Sequence, residues 1–477
     1  MSINPQQSAG ILTMGIAAYL LLTLVIGFIA ARRVKTVSDF ALAGKNLSFF
    51  MATSTVFATW FGSETVMGSS ANFVRDGFHG VIEEPFGAAL CLILVGAVFA
   101  RKLYAMNLTT FGDFFRVRFG KTAEIVASVL LAFSYVSWVA AQFLALGIVM
   151  HTVTGIPLEW ALVIMAGLVT LYTTLGGMWA VSLTDTLQTT LIVAGLIAVF
   201  FILLPQAGGW HAVLAHAPKT HFSLLPPGKT NWFDYATLWM VLGLGSVPGQ
   251  DVFQRVMSSK SGKIAAASSI TAGLLYLTIA MIPLFLGLVA VAMLAKNELP
   301  PDMQHLLPQL ILLKTPVFVQ VIFFGALISA ILSTASGALL APSVLMSENL
   351  LRKIFPQEKY LLLLSRLSTV AIAIWALQMA FANRHIHNLV TESSALGLVS
   401  LLVPFLVGFF TKTTAAWPAV ASMVSGFLVW KVWPETQLKL LPAPLAGLGA
   451  ACIPYLIYLV VLGAQKISGG RQIRTYS

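Results

Sequence analysis

The chain is 477 residues long, 58% hydrophobic and only 9% Asp, Glu, Lys or Arg, with a mean hydropathy of +0.88. That composition excludes an ordinary soluble domain and makes lipid the solvent for most of the surface. The net charge of +11 does not point to nucleic acid, because the basic residues sit in short loops between apolar runs, where they set membrane orientation.

Apolar runs long enough to cross a ~30 Å hydrocarbon core predict an all-α membrane protein of about 13 transmembrane helices, with the lipid bilayer as its surroundings. The first run, 10–31, precedes Arg32, Arg33 and Lys35, the reverse of a signal peptide, so a retained helix with its amino end outside is expected. Runs at 48–72, 79–100, 123–150, 157–178 and 185–205 follow, then 233–255, 265–294, 315–345, 361–381 and 389–411, and finally 414–430 and 442–463. With this alternation, 20 of the 28 Lys and Arg residues, from Arg32 to Arg474, fall in loops on one side. The excess marks that side as cytoplasmic, the carboxyl end with it, and the cell membrane as the location. Cys91 and Cys452 lie inside apolar runs and act there as small hydrophobes.

Two runs are poor plain helices. Ala58–Ser70 carries Gly62, Gly68 and a carboxylate, Glu64; Leu242–Arg255 carries Gly243, Gly245, Pro248 and Gly249. These glycines either permit close helix packing or mark broken helices, which are tolerated only beside protein or a water-filled cavity. Their matched spacing favours the second reading, since paired interrupted spans point to a transporter's binding site. The spans beginning at 48 and at 233 are five apart, and an odd number of spans inverts the second copy. The chain therefore divides into an extra helix (10–31), a first repeat (48–205), a second, inverted repeat (233–411) and two further helices (414–463), all in one integral-membrane unit.

An alkali cation needs several oxygens, which unwound carbonyls and hydroxyls supply without fixed charge. The run 315–345 offers Ser333, Thr334, Ser336 and Ser343, although such hydroxyls also bond back to their own helix.

Four segments in order, VSDFALAGKNLSFF from Val37, GGMWAVSLTDTLQ from Gly176, VFQRVMSS from Val252 and the Ser333–Thr334 pair, resemble the sodium:solute symporter family. The resemblance implies the LeuT-type 5+5 inverted repeat preceded by one extra helix, which agrees with the spans above. It also implies Na+ as coupling ion without an organic cofactor, and a small-molecule solute carried by a symporter that is not an enzyme. The implied sodium site consists of the carbonyls of Ala58, Phe61 and Ala330 with the hydroxyls of Ser333 and Thr334. Asp185 falls in the family's Thr-Asp element and is implied on the sodium exit path; a cap on the sixth span is the other reading.

Within the family, ATWFG at Ala58–Gly62 and SWVAAQFLALG at Ser137–Gly147 resemble the choline-transporter-like members. That likeness implies Trp60 and Trp138 in an aromatic cage for a quaternary ammonium. Those members read Pro-Trp-Gln where this chain has Pro248, Gly249 and Gln250, so one cage wall is missing and a bulkier or more polar solute is admitted. The candidate solute-binding set is Trp60, Gly62, Glu64, Trp138, Pro248, Gly249 and Gln250.

Among the acids, Glu64 faces a cationic solute or satisfies amides of the break. Glu83 and Glu84 belong near the outer mouth, Glu64 and Glu84 keep proton coupling open, and Asp251, Glu348 and Glu392 are read as solvated near interfaces. The histidines, His211, His216 and His221 among them, lie mostly in outer loops and show no metal-ligand spacing.

Overall fold

The computed structural model describes residues 5–215, 217–226, 231–382, 386–436 and 441–472. His216 and Arg474 lie outside them. The first helices in chain order are α1 (Pro5–Ala31), α2 (Val37–Leu42), α3 (Phe49–Trp60), α4 (Ser69–Asp76), α5 (Ala88–Leu94), α6 (Ala100–Ala105) and α7 (Phe111–Phe119). Then come α8 (Lys121–Thr154), α9 (Leu158–Gln206), α10 (Gly209–Ala215), α11 (Trp232–Gly243), α12 (Gln250–Ser258) and α13 (Gly262–Met293). The series ends with α14 (Leu306–Lys314), α15 (Val317–Leu345), α16 (Glu358–Ala382), α17 (Ile386–Leu396), α18 (Leu402–Phe410), α19 (Ala416–Val432) and α20 (Ala443–Gln472).

Among the described residues, nine helices are long and apolar enough to cross a membrane. The predicted runs map onto the structure with instructive differences. Runs 157–178 and 185–205 form the single 49-residue α9, bent at Gly177, whose φ of 48° and ψ of −140° leave the helix. A Cβ there would lie 2.5 Å from the Phe40 carbonyl oxygen, so the bend lets α2 pack against α9. The run 48–72 is broken after α3, and its second half continues through α5 and α6 as Glu64–Ala105. The run 233–255 is split into α11 and α12. The run 414–430 is α19, 17 residues long.

Short helices that no apolar run announces arise from local capping. In α2, Asp39 N donates to Thr36 Oγ1 at 3.1 Å while Thr36 N donates to Asp39 Oδ2 at 3.0 Å, satisfying two orphan amides reciprocally. Thr110 and Asp113 repeat the device at the start of α7.

At the centre stands α15, with every residue from Ala326 to Leu345 buried. It packs on α3, α8, α9 and α12. Because lipid gives no hydrophobic drive between helices, small side chains and interhelical hydrogen bonds hold such a helix, and the Ser, Ala and Gly content of α15 fits that need. The two sides of the bundle differ. On the side of α7, Thr110 Oγ1 donates to Asn349 Oδ1 at 2.7 Å, and Asn349 Nδ2 donates to Glu124 Oε1 at 2.9 Å and Asp113 Oδ1 at 3.3 Å. Lys353 Nζ pairs with Glu124 Oε2 at 2.8 Å. Leu47 N donates to Ser258 O, and Lys260 N to Leu47 O, each at 3.0 Å. The opposite side opens as a vestibule of about 670 Å³ whose lining includes Asn72, Asp76, His79, Glu83, His221 and Gln304.

Candidate ion and solute site

The first break follows from the loss of helical geometry at Phe61, with φ −77° and ψ 81°. Phe61 N still donates to Phe57 O at 3.1 Å, but the carbonyls beyond lose their intrahelical amides. Those of Trp60 and Ala58 meet side chains instead. Trp60 O accepts from Tyr276 Oη at 3.1 Å and lies 3.5 Å from Thr65 Oγ1. Ala58 O accepts from Thr334 Oγ1 at 3.3 Å, and the same hydroxyl lies 3.2 Å from Ala330 O. One hydrogen thus serves two carbonyls, leaving an excess of oxygen acceptors between α3 and α15. Ala58, Phe61, Ala330, Ser333 and Thr334 are all fully buried. Gly62 makes the approach possible, since a Cβ there would lie 2.8 Å from Thr334 Oγ1 and 3.2 Å from Gln142 Oε1.

Asp185 does not cap a helix start. It lies inside α9, beyond the bend at Gly177, and is fully buried. Ser333 Oγ donates to its Oδ1 at 2.6 Å, and Thr55 Oγ1 donates to its Oδ2. The structure therefore brings Asp185 against the hydroxyl cluster.

The second break is a compact turn, with Gly245 N donating to Met240 O at 3.0 Å, Val247 N to Leu244 O at 3.1 Å and Gly249 N to Ser246 O at 2.9 Å. The glycines are required there by backbone crossing: a Cβ on Gly245 would lie 2.5 Å from Ser394 O, and one on Gly397 only 2.1 Å from Gly245 O.

Between the breaks lies a narrow cavity of about 50 Å³ whose lining includes Trp60, Glu64, Trp138, Pro248 and Gly249. Glu64, Glu84, Leu242, Val390 and Ser394 also border the vestibule, so the two spaces share a wall. Gly62 sits behind, towards Thr334. Gln250 is turned away: it does not line the cavity, and its Oε1 accepts from Phe111 N at 2.6 Å, bracing α12 against α7.

Several residues here escaped the sequence reading. Asp251, read there as solvated near an interface, is 2% exposed and borders the cavity. Trp60 Nε1 donates to its Oδ2 at 2.6 Å, and Tyr135 Oη donates to its Oδ1. The basic residue that suggested solvation, Arg255, is itself 1% exposed. Tyr135 could have been found from its place three residues before Trp138, on the same helix face. Glu348 is also withdrawn from water, at 8% exposure, and pairs with Arg352 at 2.7 Å. Glu392 pairs with Lys431 at 3.4 Å while both stay about half exposed, as expected.

Glu64 Oε1 accepts from Gln142 Nε2 at 2.8 Å. Glu84 accepts from Thr65 Oγ1 and Tyr276 Oη, so the one phenol hydroxyl of Tyr276 lies between Glu84 and the carbonyl of Trp60. Replacing Tyr276 by Phe deletes that hydroxyl and is expected to cost about 1 kcal/mol or more, because a buried acceptor is left unpaired; a lowered unfolding midpoint in detergent checks this.

Comparison with known proteins agrees with the architecture. The human high affinity choline transporter 1 is 27% identical over 451 residues, covering 90% of this chain and 77% of that protein. The high-affinity proline transporter PutP of Bacillus subtilis is 26% identical over 434 residues, covering 87% and 90%. The fold matches that of a Na+-coupled sialic acid symporter with a TM-score of 0.83 at 20% identity, over 93% of this chain and 96% of the other. A nucleobase-cation-symport-1 family transporter matches at 0.60 and 17% identity, over 89% and 95%. The molecule is thus a multi-pass membrane transporter of the sodium-symport class with the LeuT-type fold. With the family model matching residues 40–426, the chain belongs to the sodium:solute symporter family.

Proposed function

We propose that this protein is a sodium-coupled secondary active symporter that imports a small organic cation or zwitterionic amine by alternating access. The observation that carries the reading is Thr334 Oγ1 lying 3.3 Å from Ala58 O and 3.2 Å from Ala330 O, where two carbonyls and a hydroxyl converge at the helix break. Sodium is held there by the carbonyls of Ala58, Phe61 and Ala330 and the hydroxyls of Ser333 and Thr334. Asp185, bonded to Ser333, takes the ion towards its exit. A cationic solute is supported by the indoles of Trp60 and Trp138 beside Glu64, Glu84 and Asp251, by the affinity of cations for ring faces and carboxylates, and by the choline transporters among the relatives. Gly249 in place of a third wall leaves room for a solute with more bulk or polarity than choline.

Thirteen spans, two five-helix repeats over 48–205 and 233–411, an outer amino end and a cytoplasmic carboxyl end in the cell membrane complete the proposal. The positive-inside excess supports the orientation. The vestibule then faces outside and the Asn349 cluster faces the cytoplasm. Inward sodium movement gains about 2.3 kcal/mol per 100 mV. Sodium at α3 and α15 orders the adjoining solute cavity, so each ligand raises the affinity of the other by one factor.

A thermal-shift screen of quaternary amines, primary amines and amino acids, with sodium or potassium, tests this. The expected result is a solute whose stabilisation requires sodium; a solute bound equally well in potassium overturns the coupling. Proton coupling is the second reading, favoured by Glu84 engaging both Thr65 and Tyr276, and pH-driven uptake without sodium supports it.

A further inference from the structure

Arg255 is the largest fully buried side chain in the molecule's described core, at 1% exposure, and none of the roles above uses it. Its Nη1 donates to the backbone oxygen of Asp251, one turn earlier in α12, at 3.1 Å. Among the described residues its Nε and Nη2 have no hydrogen-bond partner. A guanidinium out of water with two nitrogens unbonded is a costly arrangement, and the cost falls only if a carboxylate is within reach. The Nη1 bond sets it beside Asp251, and on its other side it reaches Gly337 and Thr59, which lie one helical turn beyond Ser333 and Thr55, the two hydroxyls that hold Asp185. The guanidinium is pressed into the contact between α15 and α3, where a Cβ on Gly337 would lie 2.4 Å from Nη2 and 3.3 Å from Thr59 Cγ2. Gly337 lies three residues beyond Thr334, about one helical turn.

The two acids belong to different sites. Asp185 is held by Ser333, in the hydroxyl cluster proposed for sodium. Asp251 holds the indole of Trp60 and the hydroxyl of Tyr135, which border the solute cavity. Arg255 has one charge for both.

Resting on the sodium-site reading above, we propose that Arg255 couples the ion site to the solute cavity by dividing its charge between Asp185 and Asp251. A sodium ion beside Ser333 supplies Asp185 with a second cation and repels the guanidinium, whose balance then moves towards Asp251. Asp251 is steadied, and with it Trp60 and Tyr135, so the solute cavity is ordered as sodium arrives. Arg255 is a positioning residue here; it touches neither ligand. Its length allows this division without a helix movement, and its fork can bond one carboxylate with two nitrogens.

The test uses the full chain in detergent with sodium alone as the probe, replaced by potassium in the control. Sodium stabilisation is read by thermal shift and the state of Trp60 by its fluorescence, isolated by subtracting Trp60→Phe. In the unmodified protein, sodium is expected to shift both. In Arg255→Gln the Trp60 response is expected to be lost, while the sodium midpoint falls several-fold because a competing positive charge has gone; damage to the fold alone would raise that midpoint. Arg255→Lys is expected to keep part of the response. Should Arg255→Gln not accumulate, Asp251→Asn serves: the sodium thermal shift stays and the Trp60 response goes. The proposal is overturned if either variant keeps the full Trp60 response, or if sodium stabilises the unmodified protein and leaves Trp60 unchanged. If sodium has no thermal effect on the unmodified protein, the sodium site itself fails and this coupling with it.

Discussion

Replacing Ser333 and Thr334 together by alanine is expected to abolish sodium-driven uptake while the protein still folds and inserts. Thr334 Oγ1 is the only hydroxyl that the described structure places on both Ala58 O and Ala330 O, and Ser333 Oγ is one of the two hydroxyls on Asp185. Hydrogen bonds and dipoles facing a charge contribute roughly 1.5–3 kcal/mol each, so losing two of the five proposed ion ligands predicts a sodium affinity lower by about 100-fold or more. The fold should tolerate the change, because both side chains are small and α15 keeps its backbone bonds. Solute accumulation and radioactive sodium flux in proteoliposomes measure the outcome. Sodium-driven uptake at the unmodified rate would remove the ion site from this location.

The second large effect is expected at Gly397. A Cβ added there would lie 2.1 Å from Gly245 O and 3.2 Å from Gly245 C, so alanine meets backbone that cannot swing aside. Overpacking of this kind costs about 1–3 kcal/mol. Here the displaced atoms also form the second helix break, so Gly397→Ala should lower the unfolding midpoint and reduce transport more than stability alone accounts for. Gly68→Ala is the control, because nothing lies within 4 Å of a Cβ there. Equal transport by the two variants would mean that the crossing at Gly245 does not fix the cavity.

Much of the architecture is legible in the sequence because lipid imposes one strict condition, that backbone groups be satisfied within the helix. Apolar runs therefore announce spans, and glycines at membrane depth announce breaks: Gly62 and Gly243–Gly249 do so here. What is not legible depends on partners distant in sequence. Asp251 reads as an interfacial acid because Arg255 follows it, yet Trp60 of α3 and Tyr135 of α8 cover Asp251 and α15 closes on Arg255, and no local pattern encodes that cover. Gln250 sits beside Pro248 and Gly249 in sequence but leaves the cavity, since a helix turns ~100° per residue once α12 begins. Asp185 looks like a cap only if a helix begins there, and the bend at Gly177 puts that beginning earlier.

Asn349 meets partners on two segments, Thr110 and Asp113 at one end of α7 and Glu124 at the start of α8, and Glu124 in turn keeps Lys353. Taking Asn349 and Lys353 together away from Glu124 would strand a carboxylate that is only 1% exposed. A partial separation there would leave that carboxylate dry and unpaired, so these segments are expected to part together or not at all.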